Sequence, residues 1–340
     1  MNRHLLEVDD LSRDEIETIL TLSALPQASL TPPLLLAGRG VALVFEKPSL
    51  RTRSSTEMAV VALGGHPVYV QSVEVGIDVR ETAEDVARTL ACYHAALCAR
   101  VLDHSTLERM VCSLDAQGSG VPVINLLSDR AHPCQALADL LTIRQAFGSE
   151  RGRVLAYIGD ANNVWRSLAQ AGAMTGMSMR IAAPQGYGPA AEDLDRIAKL
   201  GCEVEVFEDP SKAVEGADVL YTDVWTSMGQ EEESAARLKA FAGYGIDSSM
   251  LARGAPGAVV MHCLPAHRGE EISAEVLEGP RSLVWRQATN RMHVMRGALA
   301  WLFGGSAGER ASAGDSVGGS AVEQAHSGSS STGILDTAER

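Results

Sequence analysis

The feature that most limits what this chain can become is an alternation. From residue 40 to residue 265, short apolar runs are separated by stretches of helical character. The runs of the first half are GVALVF (40–45), HPVYVQ (66–71), AALCARV (95–101) and VPVINLL (121–127). Those of the second half are RVLAYIGD (153–160), SMRIAAP (178–184), EVEVF (203–207), DVLYTDVW (218–225) and AVVMHCLP (258–265). Between them lie helical segments such as TAEDVARTLACYH, STLERMVCSL, QALADLLTIRQAFG, VWRSLAQAGAMTG and AEDLDRIAKLG. Short continuous apolar runs suit strands covered on both faces, and strand–helix alternation suits parallel sheets. The expected fold class is α/β, with two doubly wound parallel-sheet domains linked by interdomain helices.

Two domains follow from length, because 340 residues exceed one comfortable core. GSERGR at 148–153 is the natural boundary, giving one domain over 1–147 and another over 148–287. A last helix near TNRMHVMRGALAWLF, placed at 288–303, could return to the first domain. From 304 to 340 the chain is rich in Gly, Ser and Ala without periodic apolar residues, and is expected to be a disordered tail.

Composition narrows the partners. A net charge of −14 argues against nucleic acid. No run of about 18 apolar residues is present, which argues against a membrane span. The charged, amphipathic start, MNRHLLEVDDLSRDEIETIL, is unlike a signal peptide, so the expected location is cytoplasmic. The six cysteines are scattered without a CxxC pair, and read as reduced thiols rather than a disulfide or zinc framework.

Polar strings sit where the apolar runs end. In an open parallel sheet, ligands bind outside the carboxyl ends of the strands. KPSLRTR, residues 47–53, lies between a strand and the helical SSTEMAVVALGG, which ends at Gly64 and Gly65. Ser49 and Thr52 offer hydroxyls, Arg51 a charge-assisted fork, and a helix N-terminus its free N–H groups, all suited to phosphate. A capping serine beside solvated arginines reads the same segment equally well. HPCQ places His132, Pro133, Cys134 and Gln135 at a second such turn. An imidazole there can donate to a carbonyl oxygen, though a capping histidine before an N1 proline is the plainer account. GDANN (159–163) lacks the GxGxxG spacing of dinucleotide sites, and its adjacent amides suit a carboxylate or carbonyl. In DVWTSMG, Asp223 and Ser227 offer an ammonium group a carboxylate and a hydroxyl. Cys263 ends the next strand, where a core thiol is the usual fate. Arg291 lies at the start of the final helix.

Taken in order, FEKPSLRTR, HPCQ, GDANN, DVWTSMG, HCLPAHRGEE and NRMH resemble the ornithine carbamoyltransferases over roughly residues 4 to 303. The resemblance implies a carbamoyl-phosphate domain and an ornithine domain that close over both substrates. It implies that Ser49, Arg51, Thr52 and the main chain of Leu50 hold the phosphate. Arg100, His132, Gln135, Cys263, the Leu264 carbonyl and Arg291 would surround the carbamoyl group, with Pro133 and Cys134 alongside. Asn163, Asp223, Ser227 and Met228 would bind ornithine, and His132, Arg100, Asp223 and Cys263 would be catalytic. It implies no metal and no organic cofactor, and a homotrimer with shared active sites. The same motifs leave room for a carbamoyltransferase with another amine acceptor, or a weakly active regulatory paralogue. This sequence departs from the family pattern at Leu50, where threonine is usual, at Ala161, where glycine is common, and after the phosphate turn, where SSTEMA lacks a phenylalanine. At Gly76, many relatives carry a side chain that reaches the neighbouring subunit.

Overall fold

The computed structural model describes residues 3–226 and 231–304. Ser227, Met228 and the Gly/Ser-rich stretch beyond Gly304 lie outside the described residues.

All nine apolar runs are strands. β1 (Gly40–Phe45), β2 (His66–Gln71), β3 (Ala96–Arg100) and β4 (Val123–Leu127) form one parallel sheet in the order β2-β1-β3-β4. β5 (Val154–Ile158), β6 (Ser178–Ala182), β7 (Glu205–Phe207), β8 (Val219–Thr222) and β9 (Val259–His262) form a second, ordered β7-β6-β5-β8-β9. Its pairings are parallel too. Helices cover both sheets, as the α/β reading requires. The central strands are buried almost end to end, whereas the edge strands β2 and β7 are half-exposed. That contrast explains the unbroken apolar runs: a strand with helices on both faces has no solvent side on which to place polar residues.

Strand order reverses between β1 and β3 in the first sheet and between β5 and β8 in the second. Crevices open beyond the carboxyl ends at such switch points. The functional strings follow β1, β3, β4, β5, β8 and β9, so the topology gathers them.

Two helix boundaries differ from the sequence reading. The helix after β1 begins at Leu50, with Ser49 as its N-cap accepting from the Thr52 N–H at 3.4 Å. Arg51 and Thr52 therefore stand in its first turn rather than in a loop ahead of it. The last helix spans Val284–Leu302, starting earlier than expected. It packs against Arg13–Ala24, Pro133–Phe147 and Leu50–Ala62, three helices that belong with the first sheet. Gly297 makes that packing possible. A Cβ there would lie 2.1 Å from Ser23 Oγ and 2.8 Å from the Ile19 carbonyl oxygen, so any side chain would push the two helices apart. No helix among the described residues is long and apolar enough to cross a membrane.

Candidate active site

The ends of the two sheets face one cleft of about 1100 Å³. Its first wall is cationic. Arg51 comes from the helix after β1, Arg100 from the end of β3 and Arg291 from the last helix. Arg100 is placed by a register shift between Ala99 and Arg100 that interrupts the β3–β4 ladder. Burial, then repulsion from Arg291 and Arg51, pulls its guanidinium down to about 10. Burial also lowers Arg291. Arg291 donates to Gln135 Oε1 and, at 3.2 Å, to Thr52 Oγ1, tying three elements together. Three guanidinium groups gathered in one wall, with Arg100 depressed by the other two, are a poor resting arrangement unless an anion occupies it.

His132 stands beside these arginines. Burial, followed by Arg291, Arg100 and Arg51, drives its imidazole well below the usual histidine range, so the ring is neutral. Its Nδ1 is buried without a hydrogen-bond partner among the described residues. Its backbone N–H donates to Ser167 Oγ at 2.9 Å, which fastens the turn after β4 to the helix Asn163–Thr175 of the second sheet. Two further bonds cross the same seam: Asn163 Nδ2 to the Ser128 carbonyl at 2.6 Å and Arg166 to the Arg130 carbonyl at 2.8 Å.

The opposite wall is acidic. Asp223, just past β8, accepts from the Val224 N–H at 2.8 Å, Asn162 Nδ2 at 3.0 Å and Cys263 Sγ at 2.8 Å. Burial and the adjacent Asp223 carboxylate hold the Cys263 thiol far above its usual range, so it is a neutral donor, not a thiolate. Asp160 is held by Arg237 at 2.7 Å, and Glu270 lies further out. One end of the cleft therefore suits a phosphate and the other an ammonium group.

Leu264 has φ +62°, a strained value for a branched side chain, and its N–H donates to His262 Nδ1 at 2.8 Å. His262 Nε2 meets buried Glu271 at 3.1 Å. Asp223, His262 and Cys263 bring potential ligand atoms within 4.8 Å of one another, as do His267, Glu270 and Glu271. In the first group the hydrogen bonds just given already employ both imidazole nitrogens and the thiol.

The structure brings Ser49, Leu50, Arg51, Thr52, Arg100, His132, Gln135, Asn163, Asp223, Cys263, Leu264 and Arg291 to this one cleft. Pro133 opens its helix. Cys134 points into the core, 3.7 Å from the Asn125 carbonyl oxygen and 4.0 Å from Met295 Sδ, so its thiol faces away from the cleft. Two residues escaped the sequence reading as individuals. Asn162 both caps its helix, accepting from the Val164 and Trp165 N–H groups, and braces Asp223; the paired amides of GDANN were its signal. Asp160, in the same string, had none beyond its place at a strand end.

At Gly76 the chain has φ +57°, and an added Cβ would meet the Arg80 side chain at 3.0 Å. Arg80 itself folds back onto the Glu74 carbonyl at 3.2 Å, and Arg109 forks both Asp78 and Glu84. The loop is thus tied down by contacts within the chain.

Comparison with known proteins places these observations. The profile of the carbamoyl-P binding domain of aspartate/ornithine carbamoyltransferases matches residues 3–145, and that of their Asp/Orn binding domain matches residues 151–302. An ornithine carbamoyltransferase of Acidothermus cellulolyticus is 49% identical over 313 residues, covering 91% of this chain and 99% of the relative. One from Methanoculleus marisnigri is 44% identical over 309 residues, with 90% and 98% covered. The solved ornithine carbamoyltransferase of Pyrococcus furiosus superposes with a TM-score of 0.82 at 41% identity, over 89% of this chain and 97% of its own.

Proposed function

The chain belongs to the aspartate/ornithine carbamoyltransferase family, and we propose that it is a carbamoyltransferase that converts carbamoyl phosphate and L-ornithine to L-citrulline and phosphate. The observation that carries this reading is the division of one cleft into a wall of three arginines around a neutral histidine and a facing wall built on Asp223.

In this reading the phosphate sits at the N-terminus of the helix Leu50–Ala62, held by Arg51, Thr52, the Leu50 main chain and Ser49. The carbamoyl oxygen lies toward His132 and Arg100, and the carbamoyl –NH2 toward Gln135 Oε1. Asn163 receives the ornithine carboxylate and Asp223 its α-ammonium, with Ser227 and Met228 completing that end. The δ-amine attacks the carbamoyl carbon. A C–N bond forms and the C–O bond to phosphate breaks. The bond electrons leave with phosphate, and the proton lost by the amine ends on a phosphate oxygen. Charge gathers first on the carbamoyl oxygen and then on the leaving group. Fixed donors at both places favour the transition state over the ground state. A neutral His132 serves as a donor throughout, with no acid–base cycle of its own. Bringing two substrates into line supplies a further large part of the rate.

We also assign residues 1–147 to carbamoyl phosphate and 148–287 to ornithine, with 288–303 returning to the first domain. The assembly is a homotrimer with shared sites. Exposed Met58 and Val61, about one turn apart, support a covered face on the helix Leu50–Ala62.

Citrulline formation with a panel of amines tests the acceptor. L-Ornithine is expected to exceed putrescine and L-aspartate by at least about a hundredfold in kcat/KM, some 2.7 kcal/mol. Putrescine leaves the carboxylate partners unmatched, and aspartate brings a second anion to Asp223. Equal use of any of these amines would overturn the acceptor while leaving the phosphate end standing.

A further inference from the structure

Behind Gln135, sealed from the cleft, lies a group the reaction above does not use. Asp139 is one turn further along the same helix and is fully buried. Its Oδ1 accepts from Gln135 Nε2 at 2.8 Å and Gln287 Nε2 at 2.7 Å, and its Oδ2 from the Tyr221 hydroxyl at 3.1 Å. Three elements meet on this carboxylate: the helix Pro133–Phe147, β8 and the last helix. Their donors leave no doubt about the direction of each amide. Gln287 Oε1 accepts from the His262 backbone N–H at 2.9 Å, so its Nε2 must face Asp139. Gln135 Oε1 accepts from Arg291, which can only donate, and its Nε2 faces a carboxylate, which can only accept.

We propose that Asp139 is a positioning residue that fixes which end of the Gln135 amide faces the cleft, and so selects an acyl phosphate whose acyl carbon carries an N–H donor. The inference rests on the reading in which Gln135 meets the carbamoyl –NH2. A glutamine amide is nearly symmetrical in shape and reverses with a half-turn about one bond. Reversed, Gln135 would present –NH2 to the –NH2 of the carbamoyl group. Arg291 opposes the reversal, but Arg291 also serves the ligand. Asp139 does not touch the cleft, so it holds the amide whether or not the site is filled. Through Gln287 and the His262 N–H, the same carboxylate steadies the residue before Cys263. The two ends of the reacting pair are thereby referred to one buried group.

The donors around Asp139 suit its ionised form. Burial raises its carboxyl to about 7, against the hydrogen bonds of Gln135, Gln287 and Tyr221 and the charge of Arg291. Tyr157, stacked on Tyr221, and Cys263 also face it, and burial pushes both far up, so they stay neutral. A carboxylate can only accept, whereas a protonated Asp139 can also donate, so the neutral acid no longer dictates which end of the Gln135 amide faces it.

The test compares kcat/KM for carbamoyl phosphate with the inhibition constant of acetyl phosphate, which has a methyl where carbamoyl has –NH2. Using the full chain, Asp139→Leu is expected to lower kcat/KM for carbamoyl phosphate about a hundredfold and to narrow discrimination over acetyl phosphate at least about tenfold. The KM for ornithine should stay within about threefold. Asp139→Asn, which like the protonated acid can present either a donor or an acceptor to Gln135, should show the reduced discrimination of the wild type at low pH and no longer vary with pH. In the wild type, discrimination should fall as pH drops through about 7; taking the ratio cancels the titration shared by the two phosphates. Unchanged discrimination in Asp139→Leu, or a flat wild-type profile between pH 5.5 and 8, overturns the proposal, and the wild-type profile decides it even if the leucine variant fails to fold. Gln135→Met separates the layers. If it leaves carbamoyl phosphate unaffected, the carbamoyl reading of Gln135 is wrong; if it impairs use while the Asp139 variants do not, only the positioning role falls.

Discussion

Asp139 shows how one residue can serve function and stability with opposite sign. An aspartate in an unfolded chain titrates near 3.9, and here burial raises the carboxyl to about 7. A raised acid favours the fold most where both states are protonated, below about pH 4. That contribution is lost as pH rises through 7. The ionised form that orders Gln135 is thus the form that burial disfavours. Unfolding by urea should show the wild type losing stability relative to Asp139→Asn between pH 5 and pH 8; a gap that stays constant with pH would contradict this account. The sequence did not disclose Asp139. In QALADLLTIRQ a polar residue at helical spacing reads as the solvent face, and its burial depends on β8 and the last helix, far away in the chain. By contrast, Arg51, His132, Asp223 and Cys263 were legible because each lies at or a few residues beyond the end of a strand, where a parallel sheet opens its crevice.

At the scale of elements, the start of the helix Leu50–Ala62 resolves an ambiguity in the sequence. Ser49 is a cap, as the plainer reading held, yet the capped turn also aims Arg51 into the cleft. Capping and binding are compatible because a cap occupies one free N–H and leaves others. Neighbours there should respond very differently to substitution. Arg51→Ala should lower kcat/KM about 10²- to 10³-fold, the scale of one lost charge-stabilising donor. Leu50→Thr should change it less than about tenfold, because Leu50 is 79% exposed and its main chain is unaltered. Steady-state kinetics on both purified variants checks the pair, and a large gain from Leu50→Thr would count against a main-chain role. The strands were legible because burial on both faces removes polar alternation. The short helices Pro210–Val214, Ser248–Ala252 and Ala274–Leu277 were not, since four or five residues are too few to reveal a period.

For the whole molecule, the proposed trimer has a direct measurement. Light scattering should report three chain masses, and an active, stable monomer would refute shared sites. The loop around Gly76 sharpens the case, because Arg109 and Arg80 hold it against its own chain. The contact reaching a neighbour would have to come from elsewhere on that loop.

The last helix has a consequence in time. Arg291 meets Thr52 across a separation of 239 residues, so the phosphate end is complete only when nearly all the described chain has been made. At cellular rates of synthesis, about 5–20 residues per second, that gap is on the order of 10–50 s. For that interval the helix Leu50–Ala62 and its arginine exist without their counterpart. A nascent chain of this kind holds an acyl phosphate with one of its three arginines missing. Full strength of binding at the phosphate end is thus a late property of the chain, acquired with the final helix.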